Sequence, residues 1–335
     1  MPSVWVAAPQ DTVLRAVAAG LAERCGAVLI GADGVGKTLA ARRAAQDFAA
    51  DEVRWVVGTA AQRTIPFGAF CGQLADAHIA DDGRPADLLR AAHDYLTGDG
   101  ARQLFVVDDA HLLDHLSATL VYQLALSGSA RLIVTVRADT ELPDAVGALW
   151  ADELLTRVDV EPLDRAATAT VLESALDTAP DDAAIDDVFA RSHGNPLHLR
   201  HLVGAGDLRA RASLTELVDG YLSGLPSPVR SVLDFLALAE PLRRNDLAAL
   251  ADHDAVDHAE ALGAIVVDGD AMAYPAHPLY TARARAGLTP DAERALRTSL
   301  VEHLTSQPRG HVGDRLRLAA LSIGCDSPAA VAETV

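Results

Sequence analysis

A chain of 335 residues, half of them hydrophobic, is long enough for two or three domains and a sizeable core. Its net charge of −19 argues against this segment gripping nucleic acid by itself, since such binding sets Lys and Arg against phosphate; a local basic patch stays compatible with it. No apolar run approaches the ~18 residues of a membrane helix, and Met1-Pro2-Ser3-Val4-Trp5 lacks the basic-then-apolar start of a secretory signal, so no membrane association is expected. Cys25, Cys71 and Cys325 are odd in number and far apart, which predicts reduced, buried thiols in a cytoplasmic protein and no disulfide frame or metal site.

In chain order, Val13, Leu14, Val17 and Leu21 give residues 11–24 the spacing of an amphipathic helix. Ala27-Val28-Leu29-Ile30 predicts a buried strand. Gly31-Ala32-Asp33-Gly34-Val35-Gly36-Lys37-Thr38 then fits G-x-x-x-x-G-K-[ST], and a helical run from Leu39 to Phe48 follows. Strand, glycine loop and helix are the context this phosphate-loop pattern needs. Gly31, Gly34 and Gly36 let the backbone turn tightly enough for successive N–H groups to face one phosphate, and the helix adds its positive end. Lys37 brings a compact charge and Thr38 a hydroxyl that can ligate Mg²⁺. The chain has one lysine against 27 arginines, and it stands here; a slim ammonium fits inside a phosphate loop where a wide guanidinium does not. The bland alternative is a fortuitous glycine turn.

Val53 to Val57 predicts a second strand, and Arg63 to Gly68 a loop, followed by helical segments to about Leu96 and a break at Gly98-Asp99-Gly100. Leu104 to Val107 is an apolar strand closed by Asp108-Asp109. There Asp108 is placed to hold Mg²⁺ and Asp109 to polarise an attacking water; an ordinary strand ending in a polar turn is the alternative. His111 and His115 stand four apart, as on one helix face, with Asp114 between them; the absence of H-E-x-x-H favours a solvated or capping role over zinc. Arg131 to Val136 predicts a fourth strand. A polar residue near its end and Arg137 just beyond can read a terminal phosphate, although a surface charge at a strand end fits Arg137 equally well. Arg157 to Glu161, ended by Pro162, predicts a fifth. Alternating strands and helices imply an α/β, doubly wound, mostly parallel sheet with its ligand at the carboxyl ends of the strands.

Asp164 and Asp181-Asp182 are expected to cap two helices, and Gly194-Asn195-Pro196 reads as punctuation before a third, Leu197 to Val203. From Leu225-Pro226-Ser227-Pro228 the pattern changes to three helices (229–239, 245–251, 255–262) and a hairpin, 264–267 and 271–274 about Asp268-Gly269-Asp270, which together predict a winged helix. Its third helix carries Asp254, Asp257 and Glu260 and no Arg, so it is expected to pack and not to bind DNA. Residues 292–304 and 316–323 are helical, and Ser327 to Val335 reads as a further helix begun without an end. The sequence is therefore expected to be the amino-terminal part of a longer protein.

Taken together, the phosphate loop (31–38), Leu104 to Asp114, Thr135-Val136-Arg137, Gly194-Asn195-Pro196-Leu197 and His277-Pro278-Leu279-Tyr280 resemble the STAND class of signal-transduction ATPases. Within it they resemble the nucleotide-binding part of large LuxR-type regulators related to the maltose-regulon activator. The resemblance implies a P-loop domain of the AAA-like kind over 1–163, a helical lid over 164–212, a winged helix over 213–285 and the start of a helical arm over 286–335. It implies ATP/ADP and Mg²⁺ as cofactors, with Gly31, Asp33, Gly34, Val35, Gly36, Lys37, Thr38 and Leu39 around the phosphates and Thr38 and Asp108 at the metal. Pro196 is implied to pack on adenine, His277 to touch the β-phosphate as a switch residue, and Arg137 to sense the γ-phosphate, while Asp109 stands where many ATPases have glutamate. Two departures matter. The usual Gly-Arg-x-x-Glu start is replaced by Val4 to Asp11, and no LuxR-type helix-turn-helix is present, so DNA would be bound only by a further carboxy-terminal portion.

The implied function is a nucleotide switch of a transcriptional regulator, with slow hydrolysis, an unidentified inducer and nucleotide-dependent self-association. The alternatives are an AAA-like motor acting on a macromolecule and a nucleotide-binding scaffold without useful hydrolysis.

Overall fold

The structure, a computed structural model, describes residues 11–74, 77, 84–98, 102–176, 180–205, 212–269, 271–306, 318–319, 321–322 and 325. The expectations for Val4 to Gln10, Asp99-Gly100, Asp270 and Ser327 to Val335, and most of that for 316–323, lie outside the described residues.

The first unit runs α1 (Asp11–Glu23), β1 (Gly26–Gly31), α2 (Lys37–Asp47), β2 (Glu52–Val57), α3 (Pro85–Thr97), β3 (Gln103–Asp108), α4 (His115–Ser127), β4 (Arg131–Arg137), α5 (Asp144–Ala151) and β5 (Thr156–Asp159). Its five strands are parallel in the order β2-β3-β4-β1-β5. All six residues of β1 and of β3 are buried, as continuous apolar runs in a sheet covered on both faces require. Alternation divides them. Val28, Ile30, Phe105, Val107, Leu132 and Val134 join one core with α3, α4 and α5, whereas Ala27, Leu29, Leu104, Val106 and Ile133 join another with α1 and α2. The fifth strand is Thr156–Asp159, one residue earlier at its start and two shorter at its end than expected; only Val158 is buried in it, and Val160 is still tied to Ile30 by a backbone bond of 2.7 Å. Between β2 and α3 a 3₁₀ turn, Gly68–Phe70, stands where helix was expected.

The lid expectation falls on α6 (Arg165–Ala175), α7 (Asp182–Ser192) and α8 (Pro196–Gly204). Asp164 accepts from the Ala167 N–H and Asp181 from the Ala184 N–H, so both predicted caps form. Then follow α9 (Leu214–Gly224), α10 (Ser227–Ala239), β6 (Leu242–Arg243), α11 (Arg244–Ala251), α12 (His253–Ala261), β7 (Ile265–Val267), β8 (Met272–Pro275), α13 (Pro278–Gly287) and α14 (Pro290–Thr305). The three strands pair antiparallel in the order β6-β8-β7. Sequence reasoning missed α9, β6 and α13. Of these, α9 announces itself by the capping box of Ser213 and Glu216. It contributes Leu217 to the core of α6–α8 and Val218 to the core of α10–α14, so it is shared between them.

The tip of the β7–β8 hairpin faces the first unit. Val267, Asp268 and Gly269 on one side, and Arg42, Ala45, Gln46, Val53 and Trp55 of α2 and β2 on the other, line a cleft of about 310 Å³. Among the described residues no cysteine is in a disulfide, and all three are half-buried where full burial was expected. Among the described residues no helix is long and apolar enough to cross a membrane.

Candidate functional site: the phosphate loop and what converges on it

The carboxyl ends of β1, β3 and β4 lie side by side, and each delivers a predicted residue. After β1 the chain turns through Gly34 (φ 75°) and Gly36 (φ 98°), left-handed conformations that glycine adopts without strain. α2 begins at Lys37, two residues earlier than the apolar spacing indicated, and no side chain caps its N-terminus; its positive end borders the loop. Lys37 is buried. Its Nζ donates to the carbonyls of Gly31 (3.0 Å) and Ala32 (2.7 Å), which holds the ammonium inside the loop. Burial lowers its pKa, while Asp109, Asp33 and Asp108 oppose that shift. Val35 is buried in the core shared with α2, and Leu39 is half-buried on that helix.

Asp108 ends β3 and is buried. Its Oδ1 accepts from the Thr38 hydroxyl at 3.0 Å and from the Thr135 hydroxyl at 2.5 Å. Thr135 is fully buried and also accepts from the Asp109 N–H at 2.9 Å. The polar residue of β4 therefore orients the Asp108-Asp109 pair; it does not face outward to read a phosphate as expected. Asp109 sits at φ 50°, a left-handed turn that swings its side chain out of the strand line. Burial first, and then the neighbouring Asp108 charge, push its carboxyl well above the usual carboxylate range.

His111 and His115 do not share a helix face. His111 lies in a 3₁₀ turn (Ala110–Leu112), Leu113 is extended, and α4 starts at His115. Asp114 forces that break: it caps α4 through the N–H groups of Leu116 and Ser117 while also accepting from Phe67 and Gly68 across the loop. His111 is buried and not solvated, and burial pushes its pKa down to about 4. Its Nδ1 lies 3.9 Å from Asp109 Oδ1.

Arg137, half-exposed at the end of β4, holds its Nη1 3.6 Å from Asp33 Oδ2. His277, from the turn before α13, brings its Nε2 to 3.3 Å from Asp33 Oδ1. The Nδ1 of His277 accepts from the Leu279 N–H, which leaves the ring proton on Nε2, aimed at the carboxylate. The His277 bond, opposed by burial and helped by the charges of Arg137 and Lys37, holds Asp33 down at about 2. A third segment arrives from the lid side. Asn195 caps α8 with its Oδ1 and donates its Nδ2 to the Asp33 carbonyl at 2.7 Å, and the Leu197 N–H meets the Gly34 carbonyl at 3.3 Å. Pro196 is the first residue of α8, next to that contact. Gly194 (φ 70°) packs so closely that a Cβ there would stand 1.9 Å from the Leu163 carbonyl oxygen. The Gly-Asn-Pro stretch thus docks as well as punctuates. Asn195 was missed as a contact residue, although an Asn before Pro-Leu is a readable N-cap.

The loop, Asp108, Asp109, Arg137 and His277 therefore lie together. Residues 23–143 match the family model described as an AAA domain. The first unit has a P-loop NTPase-like fold, and this match covers about a third of the chain. Among curated proteins none matches this chain. Among solved structures, a STAND protein with a tetratricopeptide repeat sensor from Pyrococcus horikoshii is similar over 98% of this chain and 50% of that one, at 16% identity and a TM-score of 0.64. That likeness shows the fold. The present chain spans half the length of that protein. A Walker-type ATPase of Pyrococcus abyssi (15% identity, 83% and 95% covered, TM-score 0.43) and the Aeropyrum pernix ORC1 protein in complex with DNA (16%, 84% and 96%, 0.44) are similar at a lower level.

The donor set suits a nucleotide with Mg²⁺. Thr38 and Asp108 present two hard oxygens on one side of the loop, and Mg²⁺ typically takes one or two protein oxygens and completes its shell with phosphate and water. Among the described residues no cluster of three His, Cys, Asp or Glu able to hold a metal occurs.

Proposed function

We propose that this chain is the ATP/ADP switch module of a signal-transduction regulator, in which the nucleotide holds the P-loop domain, the lid and a winged-helix unit (α10 to β8) together. One observation carries the reading: Asn195 and His277, from segments 162 and 244 residues beyond Asp33, both end on the same phosphate-loop residue. A loop that only catalysed hydrolysis would not need partners from both later segments. The motifs resembling LuxR-type regulators support a transcriptional role, with DNA bound by a further carboxy-terminal portion, an inducer favouring the open form, self-association in that form, and a cytoplasmic setting.

Within this reading each residue has a task. The N–H groups of residues 34–38 and Lys37 bind the β- and γ-phosphates. Thr38 and Asp108 hold Mg²⁺, which when bound neutralises charge on the transferred phosphoryl group. Thr135 fixes the Asp108 carboxylate. Asp109 orients water, Arg137 meets the γ-phosphate, Pro196 packs on the adenine and His277 approaches the β-phosphate. Asp109 is one methylene shorter than glutamate, so turnover is slow, far below the ~10 s⁻¹ of ordinary enzymes. A slow hydrolysis suits a switch, since a ligand controls a state only through its different affinities for two states.

The test is titration calorimetry with ADP and ATP on the chain and on Lys37→Ala, with size measured by light scattering under each nucleotide. The expected result is binding lost by at least about a hundredfold in the variant, ADP giving a compact monomer and ATP a larger species. Unchanged affinity in Lys37→Ala refutes the site. A closed ring with fast, assembly-stimulated turnover favours the motor.

A further inference from the structure

Asp33 stands at one of the variable positions of the phosphate-loop motif, where binding phosphate requires no acid and an extra negative charge opposes it. Yet each of its carboxylate oxygens has its own partner, His277 Nε2 on Oδ1 at 3.3 Å and Arg137 Nη1 on Oδ2 at 3.6 Å, while Asn195 holds its backbone carbonyl at 2.7 Å. The His277 contact is well sheltered, with that side chain 14% exposed; the Arg137 contact is open to solvent on both sides. These two donors flank the loop in which phosphates would lie, so a bound phosphate chain and the Asp33 carboxylate present them with two anions to choose between. The hydrogen bond from His277 also favours the ionised form of Asp33, holding its carboxyl at about 2.

We infer that Asp33 is an internal competitor of the nucleotide phosphates for His277 and Arg137, a carboxylate latch that ties the turn before α13 to the phosphate loop and must yield those partners when nucleotide binds. The inference rests on the nucleotide-binding reading above and adds to it a threshold: the affinity of the site is set partly by how firmly the protein holds its own anion. A plainer account is charge repulsion, in which Asp33 weakens phosphate binding whatever its partners do. The two accounts differ in sign once the partners are removed. Competition then vanishes, whereas an unneutralised Asp33 repels more.

Asp33→Asn removes the charge and keeps the size. Isothermal titration calorimetry with ADP and with ATP is expected to show binding about tenfold tighter than in the parent. In a His277→Ala, Arg137→Ala background the same substitution is expected to gain less than about twofold. Separately, with no nucleotide added, hydrogen exchange at the Leu279 and Tyr280 amides should quicken in Asp33→Asn. No gain in the parent background, a gain that persists or grows in the double variant, or unchanged exchange at Leu279 overturns the inference. If neither the parent nor Asp33→Asn binds ADP or ATP, the nucleotide reading fails and takes the competition with it. That failure is told apart from a failed latch by the exchange measurement, which needs no ligand.

Discussion

The large sheet and the small one are held by different means. In β1 and β3 all twelve residues are buried, and each face of the sheet has its own core. In the small sheet the strands are two, three and four residues long, and Leu242, Ile265 and Ala273 are buried while Arg243 is exposed. Each large side chain packed in the first is worth about 1.5–3 kcal/mol. The later segments reach the phosphate loop through polar contacts, the Asn195 amide on the Asp33 carbonyl and the His277 ring on the Asp33 carboxylate. The difference separates scaffold from moving part. Contacts at Asp33 can be exchanged without unpacking either core, so the loop can sense the later segments while its own geometry stays fixed.

That contrast can be broken at its strong end first. Phe105→Ala empties a fully buried place on β3 beside Phe70 and should cost about 3–5 kcal/mol in denaturant unfolding; a loss under about 1 kcal/mol would mean the sheet is not the rigid partner. Gly194→Ala should cost about 3 kcal/mol, because a Cβ meets the Leu163 carbonyl in a left-handed backbone. Thermal melting reads this directly, and an unchanged midpoint would disprove the close docking. Asn195→Ala removes a helix cap and the tie to Asp33, for about 2 kcal/mol, and should speed exchange in α8 more than in α4.

The smallest effect is a pH dependence at the junction of α8, α9 and α13. His201 is buried there against Tyr221 and Tyr280, with its Nε2 3.1 Å from the Tyr280 hydroxyl, and burial pushes its pKa down to about 4. Below pH ~6.5 the unfolded chain takes up a proton that the folded chain refuses until about pH 4, so this histidine makes stability fall as pH drops through that window. By pH 5.5 the loss is about 1 kcal/mol. Melting at pH 7 and 5.5 should show a smaller drop for His201→Gln, which keeps a hydrogen bond to Tyr280 and cannot titrate; equal drops would show that the ring is hydrated.

The P-loop half was legible in the sequence because its information is local. A buried strand, a glycine loop and a helix follow one another without a gap, and Asp108-Asp109 closes an apolar run. Apart from α9 and α13, helices of 11 and 10 residues that carry local cap signals and were still missed, what escaped was long-range or very short. The Asn195 to Asp33 contact joins residues 162 apart and leaves no periodic trace. The two residues of β6 show no alternation; pairing with β8 makes them a strand. The four-residue spacing of His111 and His115 suggested a helix face, but Asp114 prefers to cap, and its four backbone donors outweigh one more helical turn. Thr135 looked like a reader of ligand because it ends a strand near the site; only its neighbours in the fold show that it serves Asp108.

The cleft beneath the β7–β8 hairpin has an optical consequence. Trp55 forms one wall of it, with the Arg42 guanidinium 5.4 Å above its ring, and Val267, Asp268 and Gly269 form the opposite wall. Trp150 sits elsewhere, against the core of α4 and α5. Withdrawal of the hairpin would hydrate Trp55 and leave Trp150 as it was, so the tryptophan emission of the chain should redden as the two units part, a colour change that needs no label.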